Sequence, residues 1–341
     1  VSRAPEIDPN ALRYEGRGGH VESYFLRAND PERPRAIWLK ATVYAPLHGE
    51  PEVESWLVAF DADRPAPIAG RESARWTPQA VETTGGSLRI TASRLVFELS
   101  SRGRASGEVR TPAGDGRVDL TWEPARVPSA ASLSLLPPRL LREGPFPRSK
   151  ALTPFPSLVF SGAVEVGGDR IAVKDWPGMQ GHNWGREHAF EYAWGQCLFP
   201  RSGSEPEAML EGFSARVRVA GRLTPRVSAL VVRRGERAFR FDRLFDLWRQ
   251  RASIARDRWT LRMTGHDGEA RLDMDASGRP IACLGYRNPD GQLSYCFNSK
   301  LAHVRLQVQP TAGAAFECTS EHGGALELLR RERDPRFTDV V

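Results

Sequence analysis

Residues 87–100 read SLRITASRLVFELS, and the reading of this stretch decides the fold class. Leu88 and Ile90, then Leu95, Phe97 and Leu99, fall on alternating positions with polar neighbours between them. Successive side chains leave a pleated strand on opposite sides, so a period of two marks a strand with one dry face and one wet face. ARVRVAG (215–221) repeats the pattern, with Ala215, Val217 and Val219 expected inward and Arg216 and Arg218 outward. VEVGGDRI (164–171), VVRRGERAF (231–239), GHDGEA (265–270), DASGRP (275–280) and NPDGQ (288–292) each set Gly or Asp between apolar-alternating arms, and each reads as a hairpin. Helical periodicity is scarce. DRLFDLWRQ (242–250) could make two turns with Leu244, Leu247 and Trp248 on one side, and GGALELLRRERD (323–334) reads as a short C-terminal helix. The expected class is all-β with few short helices.

A chain of 341 residues is comfortable for two domains, each with its own core. Residues 124–156 carry Pro at high density without a clear period and read as a linker or a strap over the surface. A boundary near 150 leaves two β-rich halves, 1–150 and 151–341, expected as two antiparallel barrels or sandwiches side by side. No repeat of 20–50 residues supports a propeller or solenoid.

The net charge of +6 could suggest nucleic acid. The basic residues are almost all arginines scattered singly along strands, with lysines only at 40, 150, 174 and 300, so the patch that phosphate binding requires is missing. A transient contact with an anionic membrane surface would suit a lipophilic substrate. No run approaches the roughly 18 apolar residues of a membrane helix, and the N-terminal stretch lacks the apolar core of a secretory signal, so the expected location is the cytoplasm. Cys197, Cys283, Cys296 and Cys318 show no zinc spacing and are expected as reduced thiols buried in strands.

The chemistry concentrates in GMQGHNWGREHAFEYAWGQC (178–197), which holds His182, Asn183, Trp184, Tyr192 and Trp194 among four glycines. Gly in strands often marks a bulge or a close approach, so the segment reads as a bulged wall whose rings face a ligand. Tyr24, Trp38 and Trp56 are the matching aromatics of the first half, and Lys40, on the strand face of Trp38, is either an inward-pointing polar anchor or, the preferred reading, a snorkelling edge residue. On a strand over 209–213, Met209, Glu211 and Phe213 share a face. Were that face a barrel interior, desolvation would keep Glu211 neutral and make it a general acid toward an alkene, with indole and phenol faces to receive the cation. The other reading pairs Glu211 with Arg216 or Arg218 at a barrel rim. His182 either ties backbone groups together or relays a proton to the substrate or to Glu211. The spacing of His182 and His188 fits no familiar metal pair, so no metal is expected. No serine-hydrolase, P-loop or nicotinamide motif is present.

GHNWG (181–185), AWGQC (193–197) and MLEGFSARV (209–217), with SYFLRANDPERPRAIWLKATVYAP (23–46) and ESWLVAFD (54–61), resemble the superfamily of carotenoid 1,2-hydratase (hydroxyneurosporene synthase), tocopherol cyclase and the AttH-like proteins, to which fungal Diels–Alderases are related. That resemblance implies two lipocalin-like β-barrels with an apolar ligand between or inside them. Its H-x-W motif falls on His182 and Trp184, and its proton-donating carboxylate on Glu211. The hydratases carry Asp there, and Met209 replaces an aromatic. The resulting expectation is a cofactor-free enzyme that hydrates or cyclises a hydrophobic isoprenoid, polyene or polyketide, with Glu211 and His182 catalytic. The alternative is a non-catalytic carrier or sensor of a hydrophobic metabolite.

Overall fold

The computed structural model describes residues 8–84, 87–125, 143–201, 203–216, 218–219, 222–243, 246–247, 250–337 and 341. Its first eleven strands are β1 (His20–Asn29), β2 (Arg35–Ala45), β3 (Glu52–Asp61), β4 (Ile68–Arg75), β5 (Val81–Thr84), β6 (Ser87–Ala92), β7 (Leu95–Leu99), β8 (Gly103–Thr111), β9 (Gly114–Pro124), β10 (Ser149–Val166) and β11 (Asp169–Gly185). They form one antiparallel sheet in the order β4-β3-β2-β1-β11-β10-β9-β8-β7-β6-β5, which curls until β4 lies against β8. The second sheet is built from β12 (Glu191–Arg201), β13 (Gly203–Arg216), β16 (Val227–Arg234), β17 (Arg237–Phe241), β18 (Arg251–Ile254), β19 (Arg258–Gly265), β20 (Gly268–Asp275), β21 (Ala282–Arg287), β22 (Leu293–Pro310) and β23 (Phe316–Arg330). Its order is β17-β16-β13-β12-β23-β22-β20-β19-β18, with β21 on β22, while β14 (Arg218–Val219) and β15 (Arg222–Leu223) make a small ribbon apart. The all-β class holds.

Burial follows from which faces are covered. In β9 buried and exposed residues alternate, because only the inner face meets the first core of Phe97, Leu120, Trp122 and Phe160. In β1, β2 and β3 nearly every residue is buried. Leu26, Leu39 and Leu57 point into the first core, and Trp38, Trp56 and Phe60 on the opposite face pack against Leu284, Tyr286 and Leu329 of the second sheet. The second sheet curls around its own core of Trp259, Phe241, Met274 and Leu306.

Several expectations change. GGALELLRRERD is not a helix: β23 runs to Arg330, with Leu326 and Leu328 in the second core and Ala325 and Leu329 against other neighbours. Apolar residues on both faces imitate a helical pattern. DASGRP is not a hairpin either. β20 pairs with His303–Pro310 of β22 and β21 with Leu293–Asn298, so the bend joins two collinear pieces along one edge of a long strand. The Pro-rich stretch ends in strand, since β10 begins at Ser149, while residues 126–142 lie outside the described residues. Hydrogen bonding carries β10 and β11 into the first sheet, so the sheets divide between Gly185 and Glu191 and not near 150. Around 242–250, residues 244–245 and 248–249 lie outside the described residues, as does Val217, and Asp246–Leu247 form a turn.

The glycines of the ring-rich segment serve close approach. The bulges opposite this segment lie next door in β10, at Leu152–Phe155 and Phe155–Leu158, and β11 carries its own extra residue before the segment, between Val173 and Trp176. A Cβ on Gly181 would sit 2.1 Å from Cζ of Phe25, and one on Gly195 would meet Met274 and Trp259. Gly181→Ala is therefore expected to destabilise the fold by about 1–3 kcal/mol, the range for overpacking. In a urea-denaturation cycle with Phe25→Ala, the double variant should recover part of that loss. Additive losses would show that Phe25 is not the obstacle.

Candidate functional site

The residues expected to converge lie on opposite sides of the first sheet. On β11, Gln180 and His182 point into the first barrel, while Met179 points to the second sheet, beside Trp194. His182 is fully buried and stacks on Tyr24 at 4.2 Å, with Trp184 at 4.7 Å. Its Nδ1 donates to the Pro9 carbonyl at 2.8 Å, and its Nε2 meets Glu22 Oε1 at 2.8 Å. Both ring nitrogens therefore face oxygen acceptors. Glu22 accepts as well from Tyr24 Oη at 2.8 Å, from the Arg13 backbone N–H at 2.9 Å, and pairs with His20 at 3.0 Å. Burial works against the charge, yet the bonds from His182 and His20 prevail and hold the Glu22 carboxyl down at about 2. Arg13 lies over Trp184 at 5.3 Å. This knot fastens the chain before β1 to the barrel, and its donors and acceptors are already spent on one another. Asn183 is half-buried on the face away from His182.

Glu211 sits elsewhere, and it does not face a barrel interior. Leu210 of β13 enters the second core, so Glu211 projects from the outer face of that sheet, where the first sheet covers it to 4 % exposure. Thr153 Oγ1 of β10 donates to it at 2.7 Å and Trp194 Nε1 at 3.0 Å. Arg216 instead donates to the Thr224 carbonyl, and the Arg218 side chain lies outside those described. Desolvation pushes the Glu211 carboxyl up to about 7, against the two hydrogen bonds and the charge of Arg27. Met209 packs under Leu247, and Phe213 bridges that cluster to Trp194 and Met179.

Around this pair the inter-sheet layer holds further ionisable groups, of which the sequence reading gave no role to Arg27, Lys300 and Glu327. Arg27 is bonded to Asn29 and Gln196 and to the Gly323 carbonyl. Lys300 Nζ pairs with Glu327 at 2.7 Å and lies 5.7 Å from both the Trp38 and Trp194 rings. Tyr192 Oη donates to Glu327 at 3.4 Å. Lys40 does not snorkel: it is buried over the rings of Tyr286 at 3.6 Å, Trp56 at 4.7 Å and Trp38 at 5.8 Å, and burial lowers its ammonium to about 8. Beyond Tyr286, His188 approaches the same ring at 5.3 Å, and burial, then Lys40 and Arg331, bring its imidazole down to about 3, so it is neutral. His188 faces a cleft of about 550 Å³ at the seam of the sheets. The layer therefore runs from that cleft through Tyr286, Tyr192 and Trp194 to Glu211. Its only sequence signal was polar residues, Arg27 and Lys40, in otherwise apolar strands. The four cysteines are free and buried. No cluster of three His, Cys, Asp or Glu side chains suited to a metal occurs among the described residues. No helix there is long and apolar enough to cross a membrane.

Known proteins agree on the fold. No family model matches the chain. An uncharacterized protein of Mycobacterium tuberculosis, found in strains CDC 1551 and H37Rv, is 25% identical over 299 residues, covering 87% of this chain and 83% of its own. Among crystal structures, a Nitrosomonas europaea protein described as an AttH superposes with a TM-score of 0.59 at 13% identity, over 96% of this chain and 97% of that one. Kievitone hydratase from Nectria haematococca gives 0.51 at 11%, over 92% and 89%, and CghA gives 0.60 at 11%, over 91% and 88%. The chain shares its architecture with these three.

The two carboxylates should shape stability with opposite signs. Glu22 has its folded value lowered from 4.5 to about 2, so its contribution, on the order of 3 kcal/mol, is present above pH 4.5 and lost as pH falls through 2. Glu211 has its folded value raised from 4.5 to about 7, so stability present below pH 4.5 is lost as pH rises through 7. Urea denaturation of Glu211→Gln should show a flatter profile between pH 5 and 8 than the parent chain, with a relative gain at pH 8. Parallel profiles would mean that Glu211 is ionised throughout.

Proposed function

We propose that this chain is an enzyme that adds water to, or cyclises, a carbon–carbon double bond of a hydrophobic substrate held between its sheets, with Glu211 as proton donor. The observation that carries the reading is a buried carboxyl poised near pH 7 against an indole, Trp194, at a seam between two curled sheets. A general acid works best with its proton affinity near the working pH, and burial supplies that here. Kievitone hydratase, which shares the fold at low identity, carries hydration in its name.

In the proposed step the Glu211 proton goes to one alkene carbon and its electron pair stays on the carboxylate. Water attacks the other carbon and returns a proton to Glu211, so the net reaction is alkene plus water to alcohol. Capture by a hydroxyl or alkene of the substrate itself would give a ring. Thr153 and Trp194 keep donating to the carboxylate as its charge develops. Arg27 and Lys300 nearby disfavour a free carbocation, so protonation and capture are expected to be concerted. His182 acts in this scheme as a structural pin and takes no proton from Glu211. Tyr192, Phe213 and Trp194 supply the apolar wall, and Trp38 and Trp56 extend it toward Lys40. A hydrophobic carrier would have the same wall and no use for the acid.

Incubation with neurosporene and with kievitone, followed by mass spectrometry, should give a product heavier by one water. Turnover should fall about 10²–10⁴-fold in Glu211→Gln, the range for loss of a general acid. It should also decline above pH 7 in the parent chain. Equal turnover by Glu211→Gln would remove Glu211 from the mechanism.

A further inference from the structure

The cleft at the seam has a chemistry of its own. It opens where the chain crosses from β11 to β12, between residues 146–149, the 187–190 crossover and the start of β22. Three large apolar side chains are exposed among the described residues, and two of them, Phe146 at 42 % and Leu293 at 44 %, stand on its rim. Phe190 and Tyr295 line it further in. Such a rim beside an open cavity suits an apolar ligand better than water.

Two arginines and two carboxylates line it, and only Arg148 and Glu187 are paired with each other. Arg148 reaches Glu187 only at 3.7 Å, and Asp290 is turned to the Gln292 backbone N–H at the tip of the β21–β22 loop. Arg331, immediately after β23, is half-buried and packs on Phe190 at 5.8 Å, and its Nη1 is buried without a hydrogen-bond partner. Other arginines of the chain bury an Nε in the same way, but Arg331 does so with a terminal nitrogen and lines an open cleft, where an oxyanion is the group that satisfies it best, through two parallel N–H bonds. The neutral imidazole of His188 adds no competing charge at the floor.

We infer that this cleft binds the anionic end of an amphipathic ligand, a carboxylate or enolate on an apolar chain or ring, with the oxyanion on Arg331 and the apolar part against Phe146, Phe190 and Leu293. The inference rests on the enzyme reading above only in naming which end of the substrate stays at the seam. Glu211 lies opposite Gln196 on β12, and Gln196 opposite Ala325 on β23, six residues before Arg331, about 20 Å at strand rise, so a ligand anchored on Arg331 is a long one if it brings a double bond to Glu211. Among apolar ligands that carry a polar head group, those ionised at neutral pH are thus preferred over their neutral alcohols or esters.

The test uses cis-parinaric acid, a fluorescent polyene carboxylate, and the corresponding alcohol as its neutral counterpart. The parent chain should bind the acid at least tenfold more tightly than the alcohol. Arg331→Gln should abolish that preference while leaving alcohol binding within twofold. Leu293→Glu, at an exposed rim position where folding is not at stake, should weaken the acid at least fivefold more than the alcohol. Equal affinity for acid and alcohol, a preference that survives both variants, or no binding of either probe would overturn the inference. A chain that prefers the acid through Arg331 yet hydrates neither neurosporene nor kievitone would sink the catalytic reading alone. A chain that hydrates one of them while ignoring the acid would sink this inference alone.

Discussion

Because the first sheet is dry on both faces from β1 to β3, every polar side chain on its outward face, and every one opposite it on the second sheet, must find compensation inside the protein. Removing an ion from water costs several kcal/mol even after relaxation. The inter-sheet layer meets that demand differently at each charge. Lys300 has Glu327, Arg27 has amide and carbonyl oxygens, Lys40 has three aromatic faces, and Glu211 has two neutral donors. Only the first is an ion pair. Glu211 gives way by holding its proton, and the group most suited to acid chemistry is the one for which the fold supplies no cation in direct contact.

The same double burial explains where the sequence was legible. β6, β7 and β9 have one solvated face, so apolar and polar residues alternate and the strands could be read directly. β23 is covered on both faces, and ALELL then carries apolar side chains on consecutive positions, which a periodicity argument takes for a helix. β22 is long enough to pair with two strands in succession, so the turn signal of DASGRP marks a bend in a line and not a reversal. Partners that distant in sequence leave no local trace.

The misplaced half of the site has a related cause. His182 and Glu211 were joined because both belong to ring-rich stretches, but neighbouring residues on a strand face opposite ways, and membership of a motif says nothing about the side. What claims His182 is Glu22, 160 positions away, together with the backbone at Pro9. The grouping of Met209, Glu211 and Phe213 on one face was sound, as was the expectation that desolvation would dominate Glu211. Only the identity of the covering surface was wrong: the first sheet and not a barrel lumen. Lys40 illustrates the converse, a residue whose strand neighbours were read correctly and whose nearest ring, Tyr286, comes from the other half of the chain to cover it beside Trp38 and Trp56.

Placing the acid and the cleft in one layer links them energetically. With Glu211 protonated, Arg27, Lys40 and Lys300 outnumber Glu327, and Arg331 adds a further cation at the cleft. These charges favour the ionised form of Glu211, as Arg27 already does. An anion seated at the cleft would offset that bias. Two unit charges about 20 Å apart at an effective dielectric of 20 interact by about 0.8 kcal/mol, roughly 0.6 of a pK unit. Occupancy at the seam would then shift Glu211 toward its protonated form at neutral pH, the form a proton donor needs. By reciprocity, protonation of Glu211 would tighten the hold on the anion by the same factor of about four. The burial that makes the carboxyl an acid also lets the charge of its substrate be felt across the layer, where water would have screened it.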